Sequence, residues 1–144
     1  MKKRFVELIE SNMRAIDRMS DRLKAGADFF GYSRAQLQMI VRLRLSGRAK
    51  LKDIARREMT PASNLCALFR NLEKDGLISR EIDESDRRNT WYSVSAKGAK
   101  LADRAMDLLR TRVEEFFSGI SRQDEEKLTD ALETINKLLN KMEQ

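Results

Sequence analysis

Phe5, Val6, Leu8, Ile9, Met13, Ile16, Met19 and Leu23 recur at the three- and four-residue spacing of one helical face, in a stretch free of glycine and proline. The pattern predicts a long amphipathic helix ending near Gly26. Ser33 then stands as an N-cap ahead of Leu37, Ile40, Val41 and Leu45, and Gly47 stops the run, giving a second, shorter helix. A third, from Leu51 to Glu58, turns Leu51, Ile54 and Ala55 inward and Arg56 and Arg57 outward. After the break Met59-Thr60-Pro61, a fourth helix is expected to start at Pro61 beneath a Thr60 cap, because the N–H that proline lacks has no helical partner at the first position. Leu65, Leu68, Phe69 and Leu72 form its apolar stripe, and Gly76 is its left-handed stop. Ser63, Asn64, Ala67, Arg70 and Asn71 fall on the opposite face. Two short helices joined by a tight turn, the second with small polar residues on its outer N-terminal face, make a helix-turn-helix.

Alternation replaces helical spacing from Leu77 to Ile82 and again from Trp91 to Ser95. The polar run from Asp83 to Thr90 between them is too long for a two-residue turn, so the segment reads as a β-hairpin with a charged loop, a wing. Ser95 caps a fifth helix over about 96–117, and Ser121 a sixth over about 122–142. The stripe of the sixth, Leu128, Ala131, Leu132, Ile135, Leu138, Leu139 and Met142, is broad for the surface helix of a monomer. The predicted fold class is mainly α with a small β component (α+β), a winged helix-turn-helix between long terminal helices.

Composition narrows the chemistry. The 144 residues are about one domain. The single cysteine, Cys66, excludes an internal disulfide, and the absence of histidine removes the commonest metal ligand and acid-base catalyst. No nucleophile-base pair, metal cluster or phosphate loop is visible, so the expectation is a non-enzyme without metal or cofactor. No stretch approaches about 20 apolar residues, which argues against a membrane span. The N-terminal apolar residues are interrupted by Glu7, Glu10 and Arg14, unlike a signal-peptide core, and the expected location is cytoplasmic. The net charge of +6 is concentrated in the middle: residues 31–98 hold 14 Lys/Arg against 8 Asp/Glu, whereas 1–30 hold 7 against 5 and 99–144 hold 8 against 10. A basic centre between near-neutral helical ends fits a polyanion-binding module, although an ordinary solvated surface can carry the same charge.

From Tyr32 to Lys100 the order of elements resembles the MarR family of winged-helix regulators. The stretches that carry the resemblance are Leu51-Lys52-Asp53-Ile54-Ala55, then Leu72 through Arg80, and finally Asp86-Arg87-Arg88 through Val94-Ser95-Ala96-Lys97-Gly98. The last is similar to the family's D-x-R wing signature followed by its Leu-Thr-x-x-Gly entry into the next helix. The resemblance implies an obligate homodimer on double-stranded DNA. In it, residues 1–30 and 99–144 are dimerisation helices and 31–98 the DNA-binding lobe. It implies a recognition helix at 61–75 in the major groove and a wing arginine, here Arg88 with Arg87 beside it, in the minor groove. It also implies repression released by a small aromatic or anionic effector or by cysteine oxidation. The sequence departs from the family's Thr-x-Thr-Arg on the recognition helix, where it has Asn64-Leu65-Cys66-Ala67, so Ala67 stands in place of the usual arginine. Arg70, one turn later, is the nearest replacement.

Several residues admit two readings. Asn64 is suited to pair bidentately with adenine, and Ser63 either joins it at the bases or caps the helix locally. Arg88 fits a narrow minor groove of concentrated negative potential, or is a solvated loop charge, with Asp86 two residues earlier as a partner for an arginine. Lys50, Lys52, Arg56, Arg57 and Arg80 flank the reading helix as phosphate clamps or as plain surface charge. Cys66 reads as a redox sensor near Arg70 or, more simply, as a small packing residue. Met13, Met19, Met39, Phe29, Phe30 and Tyr32 line an effector pocket or belong to the core. The leading function is a sequence-specific repressor. The alternative is a non-enzymatic winged-helix module for protein interaction or architectural DNA binding.

Overall fold

A computed structural model describes residues 2–25, 29–86 and 90–142. Its elements run α1 (Lys2–Lys24), α2 (Arg34–Ser46), β1 (Ala49–Lys50), α3 (Leu51–Arg57), α4 (Ala62–Lys74), β2 (Ile78–Ile82), β3 (Thr90–Val94), α5 (Ala96–Phe116) and α6 (Arg122–Met142). The three strands form an antiparallel sheet in the order β1-β3-β2. Ile82 stands opposite Thr90, so the two strands are separated by more than a two-residue turn, as the polar run requires. The mainly α winged helix-turn-helix expected from the sequence is the fold observed. Strand β1 was not expected: two residues carry no periodicity.

The core lies where α2, α3, α4 and the hairpin meet. Ile40, Leu43, Ile54, Phe69, Leu72 and Leu77 are its largest fully buried side chains, and the Phe69 and Tyr92 rings lie 4.5 Å apart between centroids. Met39 is buried in this cluster and Phe29, Phe30 and Tyr32 pack against it, which gives these four the core role that was one of their two readings. Leu45 departs from the expected stripe of α2 and is exposed.

The helix boundaries have local causes. At α2 the Ser33 Oγ accepts from the Gln36 N–H at 3.2 Å while the Ser33 N–H donates to Gln36 Oε1 at 2.8 Å, a capping box. Ser95 Oγ accepts from the Gly98 N–H at 3.0 Å, and Ser121 Oγ from the Asp124 N–H at 3.1 Å, so both expected caps are in place. The Thr60 cap is not. Its hydroxyl donates backwards to the Glu58 carbonyl at 3.0 Å, Pro61 takes the N-cap position without a side-chain cap bond, and α4 begins one residue later, at Ala62. The reason is Met59, whose left-handed φ of 48° turns the chain so that Thr60 closes the end of α3 and does not open α4. Gly98 is fixed by space. A Cβ there would lie 2.0 Å from the Leu77 carbonyl oxygen and 2.8 Å from Val94 Cγ2, so only glycine lets α5 meet the hairpin this closely.

The chain divides into two units, residues 1–110 and 111–144. In the first, α1 buries only Leu23, and Phe5, Val6, Leu8, Ile9, Met13 and Ile16 are exposed. In the second, α6 buries no residue, and its stripe of Leu128, Leu132, Ile135, Leu138, Leu139 and Met142 is exposed. No helix among the described residues is long and apolar enough to cross a membrane, and no cluster of three or more acidic or cysteine side chains among them is placed to hold a metal ion.

Candidate nucleic-acid interface

Helix α4 is amphipathic in the sense the sequence required. Leu65, Phe69 and Leu72 are buried, and this fixes the opposite face, on which Ser63, Asn64, Ala67, Arg70 and Asn71 are all exposed. Its C-terminal end is tied down twice. Lys97 Nζ donates to the Asp75 carbonyl at 2.7 Å and Ser95 Oγ to the Gly76 carbonyl at 2.6 Å, so the start of α5 caps the end of α4. The N-terminal end differs: it has no side-chain cap bond and no acidic residue in its first turn to offset the positive end of the helix dipole.

Arg70 folds back along α4, where its Nε lies 3.5 Å from the Cys66 carbonyl. That long bond engages the backbone and not the half-buried thiol. On α3, Lys52, Arg56 and Arg57 are exposed, with Arg57 Nε 3.8 Å from Glu58 Oε1. The other Glu58 oxygen pairs with Arg42 of α2, which ties the turn of the helix-turn-helix to the helix behind it. Arg80 is exposed on β2, opposite Tyr92.

Lys50 belongs to a cluster at the base of the wing that the sequence did not disclose. Its Nζ lies 4.7 Å from the Trp91 ring centroid and 3.4 Å from Asp83 Oδ2. The Arg48 guanidinium carbon is 4.3 Å from the same ring, and Arg48 also pairs with Glu81 at 3.4 Å. Asp83 accepts from the Ser85 N–H at 3.0 Å, the Ser85 hydroxyl at 2.6 Å and the Trp91 indole N–H at 3.1 Å. These donors, the Ser85 hydroxyl foremost and then the indole, hold the Asp83 carboxyl well below the usual carboxylate range. The cluster depends on sheet register, with Lys50 and Glu81 both opposite Trp91. Only a known pairing could have revealed it. Arg87 and Arg88, the expected wing arginines, lie outside the described residues.

This constellation is an exposed polar helix face, an uncapped helix start and flanking cations on a winged lobe. Residues 32–90 match the family model described as MarR family. The stretch resembles a MarR-family winged-helix domain. A Bacillus subtilis protein named as an uncharacterized HTH-type transcriptional regulator, YkoM, is 26% identical over 98 residues, 68% of this chain and 64% of its own length. The chain therefore spans a little under two thirds of that relative's length. Among solved structures, the transcriptional regulator Tm0710 of Thermotoga maritima superposes with a TM-score of 0.74 at 20% identity, covering 94% of this chain and 96% of that one. Streptococcus pneumoniae FabT, solved in complex with DNA, superposes with a TM-score of 0.65 at 18% identity over 99% of both chains. These structural likenesses show the fold, and they cover the terminal helices as well as residues 32–90.

Proposed function

We propose that the chain is a homodimeric, sequence-specific transcriptional regulator of double-stranded DNA, a repressor at an inverted-repeat operator and not an enzyme. The observation that carries this reading is α4, one face locked into the core and the other presenting Ser63, Asn64, Ala67 and Arg70 beside an uncapped N-terminus. A helix of that kind enters a major groove with its first turn, where Asn64 is placed to read adenine. Lys52, Arg56, Arg57 and Arg80 then face phosphates, Lys50 steadies the wing base, and Arg88 with Arg87 reaches the minor groove. Residues 31–98 are the DNA-binding lobe. Residues 1–30 and 99–144 are the dimerisation helices, a role supported by the exposed apolar stripes of α1 and α6. The FabT complex with DNA supports the same use of the fold.

Cys66 is a packing residue in this account. Release from DNA is assigned to a small aromatic or anionic ligand on the strength of the family, and the site of action is the cytoplasm.

The test is binding to duplexes enriched by the protein from a random-sequence pool. The expected result is far tighter binding to these than to scrambled duplexes of equal length, weakening steeply with salt. Equal, salt-labile affinity for both would make the chain an architectural DNA binder. Absence of binding would leave the winged fold as a protein-interaction module.

A further inference from the structure

Helices α3 and α4 end in the same hydrogen-bonded cap. At α4 the Gly76 N–H donates to the Glu73 carbonyl at 2.9 Å and the Leu77 N–H to the Leu72 carbonyl at 2.9 Å. At α3 the Met59 N–H donates to the Arg56 carbonyl at 3.2 Å and the Thr60 N–H to the Ala55 carbonyl at 3.1 Å. Both are Schellman motifs, and in both the residue just past the cap is left-handed, with φ of 70° at Gly76 and 48° at Met59. Glycine takes that conformation freely, whereas an L side chain places its Cβ against the following carbonyl oxygen.

The fold recovers nothing from the methionine. Phe30 is the other non-glycine residue with positive φ among those described, and its ring packs on the core with the Arg104 guanidinium 4.5 Å away. Met59 is 88% exposed, more than any other large hydrophobic residue described. Strain and exposure thus coincide at one position, and such outliers concentrate where a ligand is held. Its neighbours say which ligand: exposed Arg56 and Arg57 precede it, and the uncapped first turn of α4 with Ser63 and Asn64 follows it.

We propose that Met59 is a DNA-contact residue whose thioether side chain packs on an apolar surface of the duplex, between phosphates met by α3 and bases met by α4. The inference rests on the DNA-binding reading above and adds to it an uncharged contact made by the turn itself. The apolar partner is the deoxyribose of the backbone or the C5-methyl of a thymine at the groove edge.

The experiment compares the full-length parent with Met59→Gly and Met59→Leu, using the duplex enriched by the parent. Met59→Gly should raise the melting temperature, because the left-handed strain is removed, yet weaken binding by about tenfold without changing its salt dependence. Met59→Leu should keep most of the affinity. A duplex with uracil in place of thymine separates the partners: an unchanged loss on Met59→Gly assigns the contact to deoxyribose, and a vanished loss assigns it to thymine methyl. If Met59→Gly binds as tightly as the parent, the proposal is overturned while the DNA-binding reading stands. A fall in melting temperature overturns the strain argument, and altered self-association with unaltered DNA affinity makes the residue a contact between copies. Failure of the parent to enrich any duplex is failure of the underlying reading, and is seen before any variant is made.

Discussion

The winged lobe and the terminal helices treat the same kind of apolar stripe in opposite ways. In the lobe each stripe is covered by its own chain: Leu65, Phe69 and Leu72 of α4 meet Ile40 and Leu43 of α2 and Ile54 of α3 in one buried cluster. On α1 and α6 the stripes are as regular and remain exposed. Periodicity fixes which face of a helix is apolar, but not whether the covering surface comes from the same chain or from another. A lobe that completes its own core is suited to hold a reading helix rigid, and termini that do not are suited to assembly.

The sharpest way to break this contrast is to charge the exposed stripe. Leu132→Asp combined with Leu139→Asp should abolish the proposed dimer and, with it, high-affinity DNA binding, as read by sedimentation velocity and duplex titration. If both side chains face only water, stability should stay within about 0.5 kcal/mol of the parent. A folded dimer carrying both charges would remove the distinction between the two regions.

A smaller effect is expected inside the lobe. Gly98→Ala forces a methyl group against the Leu77 carbonyl oxygen, at an unrelaxed separation of 2.0 Å. It should cost about 2–4 kcal/mol in urea unfolding, since the close approach of α5 to the hairpin must open. An unchanged unfolding midpoint would mean that the approach carries no weight.

The smallest effect belongs to the wing base, where Trp91 is the chain's one tryptophan and so a built-in probe. The Asp83 carboxyl is depressed by its donors, so the stability it contributes is present above the unfolded carboxylate value, near 3.9, and is lost as pH falls through the lower folded value. Trp91 fluorescence should therefore hold steady down to about pH 4 and change only below it. Asp83→Asn should remove this acid transition. Survival of the transition in that variant would assign it to another carboxylate.

Much of this architecture is legible in the sequence because its signals are local. Ser33, Ser95 and Ser121 cap the helices they precede, and Gly47 and Gly76 stop helices in left-handed turns. Thr60 misled because threonine before proline has the composition of a cap, and only the backbone turn at Met59 redirects its hydroxyl to Glu58. The cluster of Arg48, Lys50, Asp83 and Trp91 was invisible for a different reason: its members come from three segments joined only by strand register. Met39 read as a pocket or a core residue, with core the commoner role for a methionine at helical spacing, and it is buried in the core cluster. Gly98 was readable as part of a signature, but the carbonyl that demands it lies 21 residues earlier, at Leu77.

The central claim is that the exposed face of α4 reads bases, and Asn64→Ala tests it most directly. Binding isotherms for parent and variant would be taken at several salt concentrations on the enriched duplex and on a panel of symmetric single-pair substitutions of it. The account predicts a loss of about 1–3 kcal/mol in discrimination at one symmetric base pair, with the salt slope nearly unchanged because no charge is removed. Full discrimination retained at every position by Asn64→Ala would contradict it.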